Sequence, residues 1–315
     1  MSGALLSEAA RPSFARHETF PLRFGWLRKA YTEAGKNPQV FSRQDATVDL
    51  GVGKNMVNAI RYWAQAYKIL EEQKDEDRPR VFKHVPTEFG RQLLDEHDGW
   101  DPWLENPGSL WLLHWKLLSP KSMAPAWWAA FNLFMPEQFN EQQLVDHLLE
   151  LTAAAGWGNI VEASVRKDVD CLLRTFAVRR TGRQTMDDLL DCPARELGLL
   201  EAAAGETRSY RFVSGTKPAL PPRIVAHTCL DYLHRVSAGD TSISIARLTS
   251  DPGSPGRAFR LTESALFLAL GEAASLQPEL QLLEPGGLRQ LVVHDTPADQ
   301  LATQMLNDHY ARTSS

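Results

Sequence analysis

Three groups of residues in this chain have the types and spacing to act on a phosphate or a nucleic acid. Lys54, Asn55, Asn58 and Arg61 fall on one face of a helical pattern, with Gln65 beside them. Ammonium, amide and guanidinium groups are the side chains best shaped for phosphate oxygens and for base edges in a major groove. In Arg16-His17-Glu18 an imidazole and a carboxylate stand next to each other, with Arg16 and Arg23 close by. An imidazole can exchange a proton near neutral pH. The same residues also suit an arm that caps and braces the following helix, and their commonness in that role favours bracing. Asp187 and Asp191 lie one helical turn apart, downstream of Arg180 and Arg183. Such a pair can hold a divalent ion, although acidic surface helices are commoner. Asp168 and Asp170, two apart, point to different sides of a helix and cannot share an ion. Gly51-Val52-Gly53-Lys54-Asn55 lacks the spacing of a phosphate-binding loop and the hydroxyl that should follow its lysine.

That glycine pair reads instead as the turn of a helix-turn-helix. The helix after it carries Met56, Val57, Ile60, Trp63, Ala64 and Tyr67 at intervals of three and four, a single buried stripe opposite the polar face. Two strands are expected next, Lys68 to Glu71 and Arg80 to Val85, around a polar tip from Gln73 to Pro79. Thr87 is placed to cap a helix bearing Phe89, Leu93 and Leu94. This order is that of a winged helix-turn-helix. Its wing is acidic (Glu71, Glu72, Asp75, Glu76, Asp77), so it is expected to point away from DNA or to meet a protein. An earlier helix is expected from Phe24 to Ala34.

From Trp100 to Trp128 six tryptophans and four prolines alternate with leucines. Aromatic rings can stack on unpaired bases, but the interleaved leucines favour a packed connector. Asn140 is expected to cap a helix over Glu141 to Ala155. A second helix, Val161 to Arg174, leads to a basic group at Arg179, Arg180 and Arg183, which reads equally as part of a second helix-turn-helix-like unit or as a solvated face. A third unit, Pro222 to Val293, repeats the order of helices and hairpin, with Thr262 as a cap and a turn at Glu284-Pro285-Gly286-Gly287. Its polar positions are not basic, which points to protein contact or scaffolding. A last helix is expected from Pro297 to Tyr310. The fold class is thus mainly α with small β-hairpins (α+β), as tandem winged helix-turn-helix-like modules joined by a Trp-rich helical connector. The expected units are 1–99, a candidate DNA-binding winged helix; 100–220, the connector and second unit; and 221–315, a C-terminal winged-helix-like unit.

Composition excludes several classes. A chain of 315 residues that is 43% hydrophobic and 23% charged can fill two or three cores, so disorder is expected only at the ends. Three dispersed cysteines, Cys171, Cys192 and Cys229, suit neither a zinc site nor a disulfide framework. No apolar run approaches the roughly 18 residues of a membrane span, and no signal peptide is legible, so a cytoplasmic protein is expected. The net charge is −5, yet residues 11 to 68 hold ten Lys or Arg against four acids, a local +6. Charges beyond a Debye length of about 8 Å are screened, so this segment can still attract a polyanion.

Three blocks, Phe14 to Leu27, Val48 to Val57, and Thr87-Glu88-Phe89-Gly90 through Trp111 to Lys116, resemble the SspB-like family of bacterial DNA phosphorothioation and phage-defence systems. The resemblance implies a DNA-nicking component that works beside a cysteine desulfurase, an ATPase and a sulfur-transfer enzyme. It implies double-stranded DNA and other proteins of a phosphorothioation complex as partners, and a divalent metal, Mg or Mn, if the chain is a nuclease. No standard nuclease signature is present. By resemblance and chemical type His17 and Glu18 are the candidate catalytic residues. Lys54, Asn55, Asn58, Arg61, Arg16 and Arg23 are the candidate DNA-binding residues. The metal ligands are unassigned. A non-catalytic DNA-binding subunit or a scaffold that recruits the modification enzymes is the alternative, and a homodimer would suit a palindromic site.

Overall fold

The computed structural model describes residues 2–75, 82–177, 192–203 and 208–311. Among these the chain is mainly helical with three small antiparallel sheets, in keeping with the α+β class. Glu76 and Asp77 of the wing, and Arg179, Arg180, Arg183, Asp187, Asp188 and Asp191, lie outside the described residues.

The N-terminal elements are α1 (Ser2–Ala9), α2 (Trp26–Lys36), α3 (Ala46–Asp49), α4 (Lys54–Ala66), β1 (Leu70–Lys74), β2 (Phe82–Pro86) and α5 (Glu88–Leu94). Helix α2 starts two residues later than expected because Gly25 takes a left-handed φ of 76°. Ahead of the turn at Gly51 the chain makes only a 3₁₀ turn at Val40–Ser42 and the short α3. In α4 the expected stripe is buried at Val57, Ile60, Trp63 and Ala64, but so are Ala59, Tyr62 and Ala66. The helix is therefore enclosed over most of its circumference. Strand β1 begins at Leu70 rather than Lys68, since Lys68 itself turns the chain out of α4 with a φ of 60°. The hairpin pairs Leu70 with Pro86 and Lys74 with Phe82. Thr87 caps α5 as expected, accepting from the Gly90 amide at 2.8 Å. A Cβ on Gly90 would lie 2.3 Å from the Ile69 carbonyl oxygen, so glycine lets α5 close against the base of the hairpin.

The middle of the chain forms α6 (Pro107–Leu118), α7 (Pro125–Asn132), β3 (Gln138–Phe139), α8 (Glu141–Ala154), α9 (Glu162–Phe176), β4 (Leu200–Ala202) and β5 (Tyr210–Phe212), with sheet order β3-β5-β4. Asn140 and Gln143 form a capping box at the start of α8. Trp111, Trp115, Trp127 and Trp128 are all buried, which places the Trp-rich connector in the core. Trp100 is half-buried, and Trp103 departs furthest from this pattern. It is exposed, with the Arg28 guanidinium 3.4 Å from its ring centroid. The C-terminal elements are α10 (Pro222–Val236), β6 (Ser242–Ser244), α11 (Ile245–Ser250), α12 (Pro255–Phe259), α13 (Glu263–Ala274), β7 (Leu280–Leu283), β8 (Gln290–Val293) and α14 (Ala298–Ala311), with sheet order β6-β8-β7. The turn from β7 to β8 uses Gly286 and Gly287 at φ 59° and 84°.

Each of the three expected segments contains one sheet, yet both chain ends pack across the expected boundaries. Helix α1 lies on α7 and α8, where a Cβ on Gly3 would come within 2.4 Å of the Ala154 backbone. Helix α14 packs on α10, and its Tyr310 ring stacks on Trp100 at 5.2 Å while its hydroxyl lies 3.0 Å from Ser109 Oγ. Among the described residues no helix is long and apolar enough to cross a membrane.

Buried imidazoles, His114 and His84 among them, are expected to make the fold acid-sensitive. His114 lies in the core, its Nε2 2.9 Å from the Ala258 carbonyl and its ring 4.8 Å from that of Phe131. His84 lies under the hairpin against Phe41. Burial depresses both from 6.5 to about 4. Between those values the unfolded chain binds protons that the folded chain refuses. Stability is therefore complete above pH 6.5 and declines as the pH falls toward 4. Denaturant midpoints at successive pH values across this window should fall steadily; a flat profile would mean that these imidazoles are charged in the fold.

Candidate functional site

The candidate site is organised by the arm between α1 and α2. A parallel bridge ties its start to residue 122, with Arg11 N donating to Ser122 O at 2.9 Å. Farther along, Ala15, Glu18 and Thr19 take φ values of 55°, 50° and 67°. Side-chain-bearing residues avoid that region at a cost on the order of 1–3 kcal/mol each, so surrounding contacts must impose the path. Asp168 of α9 is the chief contact. Its Oδ1 accepts from Ala15 N at 2.6 Å and lies 2.9 Å from His17 Nε2. His17 Nδ1 accepts from Thr19 N at 3.1 Å, which leaves the ring proton on Nε2 to be donated to Asp168. Trp63 Nε1 donates to Phe20 O at 2.9 Å, and the His17 ring stacks on Trp63 and meets Trp127 edge-on, with centroids 6.0 and 5.7 Å away.

His17 is fully buried and both ring nitrogens are engaged. The expected role as a base that activates water finds no nitrogen open to water; the residue braces the arm. Burial raises the pKa of Asp168, opposed by its hydrogen bond to His17. Its neighbour Asp170 points outward to Arg174 at 2.9 Å, so the two aspartates do face different sides. Glu18 Oε1 accepts from Asn58 Nδ2 at 3.3 Å, linking the arm to α4.

The arm forms one wall of a cleft of about 1140 Å³. Arg11, Arg16 and Phe14 lie on that wall. The floor is the polar stripe of α4, namely Asn58, Arg61 and Gln65, continued by Lys68. Leu70 to Glu72 and Phe82 of the hairpin close one side, and Lys121, Met123 and residues 159–161 close the other. Five cations, Arg11, Arg16, Arg61, Lys68 and Lys121, thus line one cavity against two carboxylates, Glu71 and Glu72. Arg61 is half-buried, and among the described residues it has no hydrogen bond or ion pair. Burial lowers its pKa, but a guanidinium stays charged in proteins. A partly desolvated cation that no side chain pairs with directly, and that Glu72 and Glu18 reach only at longer range, is suited to receive an anion.

The expected DNA-binding set is divided by this geometry. Asn58, Arg61 and Arg16 come together in the cleft. Lys54 and Asn55 stand exposed at the start of α4, outside the cleft lining. Arg23 is also outside it, stacked over Phe20 and Trp26. Arg11 and Lys68 were visible only as part of the basic stretch, and no local pattern singled out Lys121. Among the described residues no three His, Cys, Asp or Glu side chains converge.

Removing Asp168 tests the anchoring role. Asp168→Ala leaves His17 Nε2 and the Ala15 amide unpaired in the interior, which should cost about 3 kcal/mol, on the scale of breaking a buried pair. The arm should also become cleavable by trypsin at Arg16 before global unfolding. An unchanged denaturation midpoint with an unchanged digestion pattern would show that the arm is held by other contacts.

A family described as a protein of unknown function, DUF4007, matches residues 14–310. The chain is similar to an SspB crystal structure, with a TM-score of 0.92 and 45% identity over 99% of this chain and 92% of that one. It is equally similar to a magnesium-ion-bound SspB crystal structure, with a TM-score of 0.92 and 45% identity over 98% and 91%. No curated protein matches it. With a likeness that extends over nearly its whole length, well past the blocks that first suggested it, the chain belongs to the SspB-like family of the bacterial DNA phosphorothioation systems.

Proposed function

We propose that this chain is the DNA-binding component of a phosphorothioation-based defence system and that it holds the phosphate backbone in the cleft between the arm and α4. The observation that carries this reading is the convergence of Arg11, Arg16, Arg61, Lys68 and Lys121 on one cavity, with Arg61 half-buried and unpaired among the described residues. Structural cations on a protein surface are usually solvated or paired with acids. Here no carboxylate pairs directly with Arg61, five cations outnumber the two acids of the lining, and a backbone phosphate would supply the missing charge. The helix-helix-hairpin order from α2 to β2, read as a winged helix, supports the same assignment, with Lys54 and Asn55 free to touch DNA outside the cleft.

Strand nicking, which would open the backbone for sulfur incorporation, is a second reading. It is favoured by the magnesium ion bound in a solved relative. In this chain the described residues present no convergent metal ligands and His17 is sealed, so no cleavage step is derived from them. If the chain does not cut, its task is to hold DNA for the other proteins of the complex.

Two measurements separate these readings. Arg61→Ala and Arg16→Ala should each weaken DNA binding, and each should reduce the slope of log K against log salt by about 0.9 on duplex, the value of one phosphate contact. Lys54→Ala should have the smaller effect. Equal affinity and slope in all three variants would remove the cleft from the interface. Conversion of supercoiled plasmid to open circle with magnesium or manganese, and its loss in EDTA, would add nicking. Retained binding without conversion would leave a docking subunit.

A further inference from the structure

We propose that the cleft takes an unpaired stretch of DNA strand rather than the intact duplex, a refinement that rests on the DNA-binding reading above. Two independent features of the site point this way. The first is how little of α4 is open. At about 100° per residue, Asn58, Arg61 and Gln65 fall within a stripe roughly 60° wide. On one side of it lies Tyr62, buried with its hydroxyl donating to Met123 O at 3.1 Å, and on the other lie Val57 and Ala64, buried in the core. A helix that reads a major groove about 12 Å wide and 8.5 Å deep must project into it. This stripe is instead half-buried in a cavity that the arm, Lys121, Met123 and residues 159–161 also line. A duplex that contacts the exposed start of α4 meets Lys54 and Asn55 first, whereas Arg61 is half-buried within the cleft.

The second feature is chemical. Phe14, Met123, Ile160 and Val161 line the same cavity as the cations, and Val161 is 63% exposed. Phe14 is fixed edge-on against Trp157, with centroids 6.4 Å apart, by the arm that Asp168 anchors. A duplex keeps its base faces stacked inside, out of reach of such side chains. An unpaired strand offers phosphates to Arg16, Arg61 and Lys68 and base faces to Phe14 and Val161. Charged groove plus aromatic platform is the arrangement that holds single strands without reading their sequence.

The test is fluorescence anisotropy at one moderate salt concentration, with a labelled oligonucleotide of about 12 nucleotides used alone and annealed to its complement. The single strand should bind at least about tenfold tighter. Arg61→Ala should lower its affinity and cut the salt slope by about 0.7, the single-strand value per phosphate. Phe14→Ala should weaken it by about 5- to 100-fold without altering the slope, and Phe14→Trp should restore it. Val161→Glu, at a position too exposed to matter for folding, should weaken the single strand as well. Duplex binding equal to or tighter than the single strand, or single-strand affinity indifferent to Phe14→Ala and Val161→Glu in folded protein, overturns the inference while leaving DNA binding in place. Tighter binding of the matching RNA also overturns it. Failure of either DNA to bind removes the underlying reading together with this one.

Discussion

The contact between Asp168 and His17 is the constraint on which the candidate site depends. Neither residue faces the cleft. Together they fix an arm that would otherwise have little reason to follow a path with three side-chain-bearing residues at positive φ. A single carboxylate oxygen takes the Ala15 amide and the His17 imidazole, and the imidazole in turn takes the Thr19 amide. The Ala15 and Thr19 amides, which the tight path turns inward, thereby gain partners, as burial requires. The result is that Phe14 and Arg16 are held opposite Arg61 by an interaction reaching across 151 residues of sequence.

The aromatic layer beneath performs a second task. Trp63 belongs to α4 yet donates to the arm at Phe20, and its ring meets those of His17 and Trp127, which also meet each other. Aromatic pairs of this kind add about 0.5–1.5 kcal/mol each beyond the area they bury. Trp127 comes from α7 and Asp168 from α9, so four separate segments meet at one point. A shift of any of them would move the floor of the cleft relative to its wall. The division into an N-terminal DNA-binding unit and a helical connector is thus blurred where it would matter most, since the connector supplies the support for the arm.

Features that depend on local residues were legible in sequence. Thr87, Asn140 and Thr262 cap the helices they were expected to cap, and the 3.6-residue period picked out the buried side of α4. The turn at Gly286 and Gly287 was marked by the two residues able to adopt it without strain. What escaped was everything set by distant partners. His17 beside Glu18 looked like acid-base chemistry because its real partner, Asp168, lies on another helix. Tyr62, Ala59 and Ala66 were not assigned to the core because one apolar stripe suffices for a surface helix, whereas α4 packs on several sides. The cleft itself has walls from four stretches of chain, and Lys121 carries no local signal of its place in it.

The acidic hairpin gains a different meaning once the cleft is in view. Glu72 lies 3.4 Å from His84 Nε2 and shares the cavity with Arg61, while Asp75, also read as a surface acid, is buried and accepts from Gln39 Nε2 at 2.6 Å. The carboxylates that remain open, Glu71 and Glu72, thus stand along one side only. Arg11, Arg16 and Lys121 come to the lining from other segments, which contribute no acid. Coulomb forces act most strongly at these short separations. On the proposed reading, a phosphate backbone in the cleft is drawn to the arm and residue 121 and pushed from the hairpin. Its bases then turn away from the phosphate track. On that reading the acids at the hairpin, which argue against DNA when the wing is read alone, would set on which side of the cleft a strand runs.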